Sequence, residues 1–234
     1  MMLGILIQLL ISWLLVKWLL KENLDFLGWQ PRVSRIADFF LFLIVSMLCA
    51  VSYYWMRMYF GKEQWELSPA FSWKLVWEGI RWNMNSVLYE ELIFRGALFY
   101  ILIRKLNSRY ALIISAVAFG IYHWFSYGIL GQIPAMLQVF VITGLAGLVY
   151  GYGYLKTNSL YATIAMHFGW NFVRGFLFSE GSIGKGVWVH AAATPSVTVS
   201  SLVYFIVVNG PTIAFLLINT LLLWLRRKAV QTGR

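Results

Sequence analysis

Apolar residues run in seven long blocks, at 1–20, 36–60, 84–103, 110–127, 133–155, 159–178 and 201–225, with short polar stretches between them. A helix crosses a bilayer core with about 20 mostly apolar residues, so each block predicts a membrane helix. Pro31, Asn107-Ser108 and Thr157-Asn158-Ser159 mark the turns, and Gly181 to Pro195 makes the longest late loop. Between the second and third blocks, Ser68-Pro69 precedes Phe71, Trp73, Val76, Trp77 and Ile80. That helical-period stripe suits a segment lying in the membrane interface. The expected fold class is all-α: a polytopic membrane protein of about seven transmembrane helices, one membrane domain over 1–234. The count becomes six or eight if 71–82 is assigned otherwise.

Composition strengthens this picture. Hydrophobic residues make up 60% of the chain and charged residues 12%, with a mean hydropathy of +0.70. A soluble domain carries about 25% charged residues, so too little polar material is present to coat a globule. An ordinary soluble enzyme, a disordered chain and a disulfide scaffold are excluded. The single cysteine, Cys49, leaves no internal disulfide, Cys-based zinc site or redox pair.

The net charge of +10 comes from cations placed between apolar blocks and at the C-terminal tail. Topology and anionic lipid account for them, and no nucleic-acid partner is expected. With the N-terminus outside, eleven cations fall on the inner side: Lys21, Arg32, Arg35, Arg104, Lys105, Arg109, Lys156, Arg226, Arg227, Lys228 and Arg234. Five fall outside (Arg57, Lys62, Lys74, Arg81, Lys185), and Lys17, Arg95 and Arg174 lie in helices. The expectation is an integral membrane protein, of the plasma membrane, oriented N-out and C-in.

The opening MMLGILIQ lacks a basic n-region and reads as a retained helix. Trp13, Trp18, Trp29, Tyr53, Tyr54, Trp55, Tyr59, Trp124, Tyr150, Tyr152, Tyr154 and Trp224 sit near block ends, as an aromatic belt would. Gly144, Gly147 and Gly151 predict close packing of the fifth helix, and Ser115, Ala116, Ala118 and Gly120 offer a matching small-residue ridge on the fourth. No internal repeat is visible, which disfavours an inverted-repeat transporter.

Polar groups inside apolar blocks call for a reason, since a charge costs at least about 2.5–3.5 kcal/mol at the bilayer centre. Glu90 and Glu91 are adjacent in the third block, His123 lies in the fourth, and His167 and Asn171 in the sixth. Glu91 and Arg95 stand four apart and can pair on one helix face. Glu90 points about 100° away, at 3.6 residues per turn. One helix thus offers a carboxylate for structure and another for chemistry. His167 and Asn171 share a face.

A carboxylate can take a proton from water, a histidine can hold or relay it, and a second histidine with a carboxamide can donate to a developing oxyanion. Those parts suit water addition to an amide. They also suit an interhelical scaffold or a proton-coupled transporter, and the residues alone leave all three open. No H-E-x-x-H or G-x-S-x-G is present. Glu90, His123 and His167 could hold zinc as a two-histidine, one-carboxylate set, so zinc stays open.

Glu90-Glu91-Leu-Ile-Phe-Arg95-Gly96 resembles the EExxxR motif of the CPBP family, the CAAX proteases and bacteriocin-processing (Abi) proteins. Phe119-Gly-Ile-Tyr-His123 resembles its FxxxH motif and His167-Phe-Gly-Trp-Asn171 its HxxxN motif. The resemblance spans about residues 84–175, within an expected catalytic core of 84–178. It implies an intramembrane endopeptidase related to the CAAX prenyl protease type 2, with a polar cavity opening to a membrane face. It further implies that Glu90 and His123 activate water, that His167 and Asn171 form the oxyanion hole, and that Glu91 and Arg95 support them. No cofactor is then required. The substrate would be a membrane-associated protein or leader peptide, prenylated or not. The rival is a non-catalytic scaffold or bacteriocin self-immunity protein using the same cavity.

Overall fold

The computed structural model describes residues 2–178, 186–191 and 197–226. Helices dominate: α1 (Met2–Leu20), α2 (Val33–Phe60), α3 (Trp73–Arg95), α4 (Ala97–Lys105), α5 (Ser108–Ser126), α6 (Ile133–Thr157), α7 (Tyr161–Phe172) and α8 (Ser201–Leu225). Among the described residues, four of these are long and apolar enough to cross a membrane: α1, α2, α6 and α8. The chain is an integral membrane protein. Most of the Gly181 to Pro195 loop, with Lys185, Arg227, Lys228 and Arg234, lies outside the described residues.

The third apolar block departs from expectation. Instead of an interfacial segment followed by a separate span, residues 73–95 form one helix, and the break falls later, at Gly96. A Cβ there would stand 2.1 Å from the Leu92 carbonyl oxygen, so only glycine fits. The break strips α3 of partners for its last carbonyls. Ser115 on α5 donates its hydroxyl to one of them, Phe94 O, at 2.7 Å. The sixth block is also shorter as α-helix: α7 ends at Phe172 and widens into a π-turn over Val173–Leu177, closed by Phe178 N donating to Val173 O. Two three-residue strands, β1 (Trp65–Leu67) and β2 (Trp188–His190), pair antiparallel with Trp65 opposite His190.

Contacts divide the chain into two compact units. The first comprises Met1–Phe39, Asn85–Ile164 and Thr220–Arg234. Its centre is α5 on α6, where small residues let the backbones approach. A Cβ on Gly147 would meet Ala116 Cα at 3.2 Å, and one on Gly151 would meet Leu112 at 2.6 Å. Ser115, Ala116, Phe119, Gly120 and His123 form the buried stripe of α5, while Ala118 faces outward. Ala118 is off the ridge because that stripe runs through positions three and four apart, and 118 falls between them.

The same unit gathers several cation-bearing segments together. Arg104 bonds Glu22 at 2.6 Å, Arg35 donates to the Gln30 and Asn158 carbonyls, Lys156 donates to Trp224 O, and Arg226 pairs with buried Asp38. Tyr150 and Tyr154, read as belt residues, are buried in this unit instead. The Tyr154 hydroxyl donates to Phe26 O at 2.7 Å, and such a partner makes burial of the ring affordable.

The second unit comprises Phe40–Met84 and Ala165–Asn219. Its α7 lies against the α2 backbone at Gly169, where a Cβ would come within 2.8 Å of Leu43 O. Tyr54, another residue read as belt, is fully buried here. Its ring stacks on Phe178 at 3.8 Å and meets Trp65 edge-on at 5.3 Å, tying the strand pair to α2.

Candidate active site

The first unit holds four of the six residues singled out. Glu91 and Arg95, one turn apart on α3, have no exposed side-chain surface and pair at 3.1 Å. Arg95 donates from its other nitrogen to Gly147 O at 3.0 Å. Its guanidinium lies 4.3 Å from the Phe119 ring centroid and 5.3 Å from that of Tyr150. A desolvated cation over aromatic faces gains up to about 2 kcal/mol or more from them. Gly147 makes the arrangement possible, since a Cβ there would stand 3.0 Å from the guanidinium. Arg95 is therefore held by an acid, a carbonyl and rings.

Glu90 is buried beside this pair and lies within electrostatic reach of Arg95, Tyr150 and Tyr122. Tyr122 immediately precedes His123 on α5. The His123 ring is buried between Phe119, Tyr122 and Tyr127, with centroids at 4.5, 5.3 and 5.3 Å. Its Nδ1 lies 2.7 Å from Phe119 O. A carbonyl only accepts, so Nδ1 carries a proton, and in the neutral ring Nε2 bears the lone pair. Phe119 thus touches both ends of the arrangement: its ring packs on Arg95 and its carbonyl sets the His123 tautomer.

The second unit holds the other two. His167 is buried and Asn171, one turn later on α7, is half-buried. Gly169 between them lets α2 come close. Arg174 follows at the start of the π-turn, so His167, Asn171 and Arg174 stand at i, i+4 and i+7. The sequence counted Arg174 only as a cation within a helix, although the same spacing that joined His167 to Asn171 extends to it. His190, read as a loop residue, sits in β2 and contacts Glu63 at 3.2 Å. Among the described residues, no three His, Cys, Asp or Glu side chains are gathered as a metal would need.

Comparison with known proteins reaches the same segment. Residues 72–173 match the family model of the Rce1-like type II CAAX prenyl endopeptidases, consistent with the CPBP family. The match covers less than half of the 234 residues and includes Glu90, Glu91, Arg95, His123, His167 and Asn171. No curated protein and no solved structure matches the chain.

Proposed function

We propose that this chain is a CAAX-type intramembrane endopeptidase of the glutamate type, which hydrolyses a peptide bond in a membrane-associated protein or leader peptide. The observation that carries the role assignment is the pairing of Arg95 with Glu91. It supports reading Glu91 as the structural carboxylate and Glu90, its neighbour on another side of α3, as the carboxylate of the reaction. Support for the reaction class comes from the matched segment, which contains all three motifs.

In this reading Glu90 takes a proton from a water molecule as its oxygen attacks the substrate carbonyl carbon. His123, with Nδ1 committed to Phe119 O, presents Nε2 to orient the water or share its proton. His167 and Asn171 donate to the oxyanion of the tetrahedral intermediate. The proton held by the Glu90–His123 pair then passes to the leaving amine nitrogen, and the C–N bond breaks. Arg95 and Glu91 keep α3 and α5 in register for these steps. The orientation we assign is N-out and C-in, in the plasma membrane. In its favour, contacts in the first unit join residues 21–35 to the ends of α4 and α6, and the end of α8 to Lys156 and to Asp38 of α2, bringing basic segments assigned inside together.

The test compares membrane proteomes of cells carrying the wild-type chain and Glu90→Gln, scored for new N- and C-terminal peptides. The variant keeps size and hydrogen bonding but loses the base, and general-base catalysis contributes about 10²–10⁴-fold. Termini that appear only with the wild type establish proteolysis and name the substrate. Identical termini alongside a persisting wild-type phenotype would replace it with a binding or scaffold role. Chelation should leave cleavage unchanged; loss on chelation and recovery with zinc would make the enzyme metal-dependent.

A further inference from the structure

The second unit contains a cavity of about 550 Å³ between the C-terminal end of α2, the strand pair and the start of α8. Tyr53, Arg57, Glu63 and His190 give it a polar wall, and residues such as Val207 of α8 give it an apolar one. A volume in the range of about 300–1,000 Å³ is that of ordinary ligand sites.

Two guanidinium groups share the Tyr53 ring. Arg174 lies 4.0 Å from its centroid and Arg57 lies 5.2 Å away. Arg57 is matched by a carboxylate, Glu63, at 2.8 Å. Arg174 is not: among the described residues its guanidinium is met by rings alone, those of Tyr53, Tyr54 and Trp170. It is half-buried, in a helix that packs inside a membrane protein. Cations in that setting usually pair or mark a ligand path. The π-turn that starts at Val173 is a second unusual feature at the same place, and such turns gather at functional sites.

We infer that Arg174 and the Tyr53 wall form a subsite for a carboxylate on an amphiphilic peptide, with the apolar wall of the cavity taking its non-polar side chains. The inference rests on the proteolytic reading in one respect. Arg174 lies one helical turn, about 5 Å along the axis, beyond Asn171, so a peptide whose carbonyl is held by Asn171 carries its neighbouring groups past Arg174. Arginine suits this task because its planar fork binds carboxylate through two parallel hydrogen bonds.

The experiment uses the full chain carrying Glu90→Gln, in phosphatidylcholine nanodiscs, so binding is read without turnover. The probes are N-palmitoylated peptides of one neutral sequence with a free C-terminus, a C-terminal amide, or an amide with one internal glutamate. Dodecyl phosphate serves as the lipid-like anion. The expected result is a preference of about tenfold for an acidic peptide over the neutral amide, the size of one charge-assisted hydrogen-bonded contact. Whichever acid is preferred, terminal or side-chain, identifies the source of the carboxylate.

Arg174→Gln should bring that preference near parity, while Arg174→Lys, which keeps the charge over Tyr53, should retain part of it. A preference that survives Arg174→Gln in chain that still elutes as a folded species, or no preference in the parent chain, overturns the subsite. A response to Arg174→Gln seen only with dodecyl phosphate makes this a lipid site and overturns it equally. If the Glu90→Gln chain shows the preference while the wild-type chain yields no cleavage products, the proteolytic reading falls and the subsite stands; cleavage by the wild type with no preference in the Glu90→Gln chain does the reverse.

Discussion

Arg95 and Arg174 are two arginines in the same kind of setting, each among aromatic rings in a helix of a membrane protein, yet their surroundings differ in one respect. Arg95, in the first unit, has its rings and also a carboxylate and a backbone carbonyl, and no part of it is exposed. Arg174, in the second, has rings on its guanidinium and is half-buried. The first is a structural element whose charge is matched within the unit, although its buried Nε has no hydrogen-bond partner among the described residues. The second is held in place with its hydrogen-bonding donors uncommitted to any described acid. A matched charge is what a packing device needs, and an unmatched one is what a binding device needs.

The largest effect that sharpens this contrast lies at the first site. Removing one partner from a buried ion pair leaves an uncompensated charge and costs about 3–5 kcal/mol. Glu91→Gln and Arg95→Gln should each lower the unfolding midpoint strongly in detergent titrations, and the joint replacement Glu91→Leu with Arg95→Met should lose clearly less. If the joint replacement were as damaging as either single change, the pair would not be acting as a unit. Arg174→Gln, by contrast, should lose only the cation–π contribution, about 0.5–1 kcal/mol at a partly exposed ring.

A smaller effect is expected at Gly147. Alanine there drives a methyl group against the Arg95 guanidinium at 3.0 Å and against Ala116 and Phe119 at 3.2 Å. Overpacking of this kind costs about 1–3 kcal/mol. Because Phe119 also sets the His123 tautomer, the substitution should reduce turnover in addition to stability. A stable Gly147→Ala protein with full activity would break the link between the Arg95 surroundings and His123.

The first site was largely legible in the sequence, and the second was not. The Glu91–Arg95 pair follows from a spacing of four, and the α5 and α6 ridges from runs of small residues, because both depend on local helical period. Arg174 also lay on that period, but nothing in the sequence says which rings surround a cation, and Tyr53 and Tyr54 are some 120 positions away. The belt reading of Tyr54, Tyr150 and Tyr154 failed for the same reason: their hydroxyl and ring partners come from distant segments. The continuous helix over 73–95 was hidden because its first half alone resembles an interfacial stripe. The break at Gly96 was hidden because one glycine in an apolar run is ambiguous until its neighbours are placed.

The smallest expected change in stability separates the two arginines of the second unit from each other. Arg57 has its acid in Glu63, but that pair retains some solvent exposure, near 18% and 19% of each side chain. Exposed pairs are worth about 0–1 kcal/mol, so Glu63→Gln should shift the unfolding midpoint little. Its effect on charge is larger than its effect on stability. It removes a described carboxylate beside Arg57, whose guanidinium shares the Tyr53 ring with that of Arg174. Binding of the acidic peptide should therefore tighten in Glu63→Gln while binding of the neutral amide stays constant. Were Glu63→Gln instead as destabilising as Arg95→Gln, Arg57 would belong with Arg95 as a packing cation, and the polar wall of the cavity would be structure and not recognition.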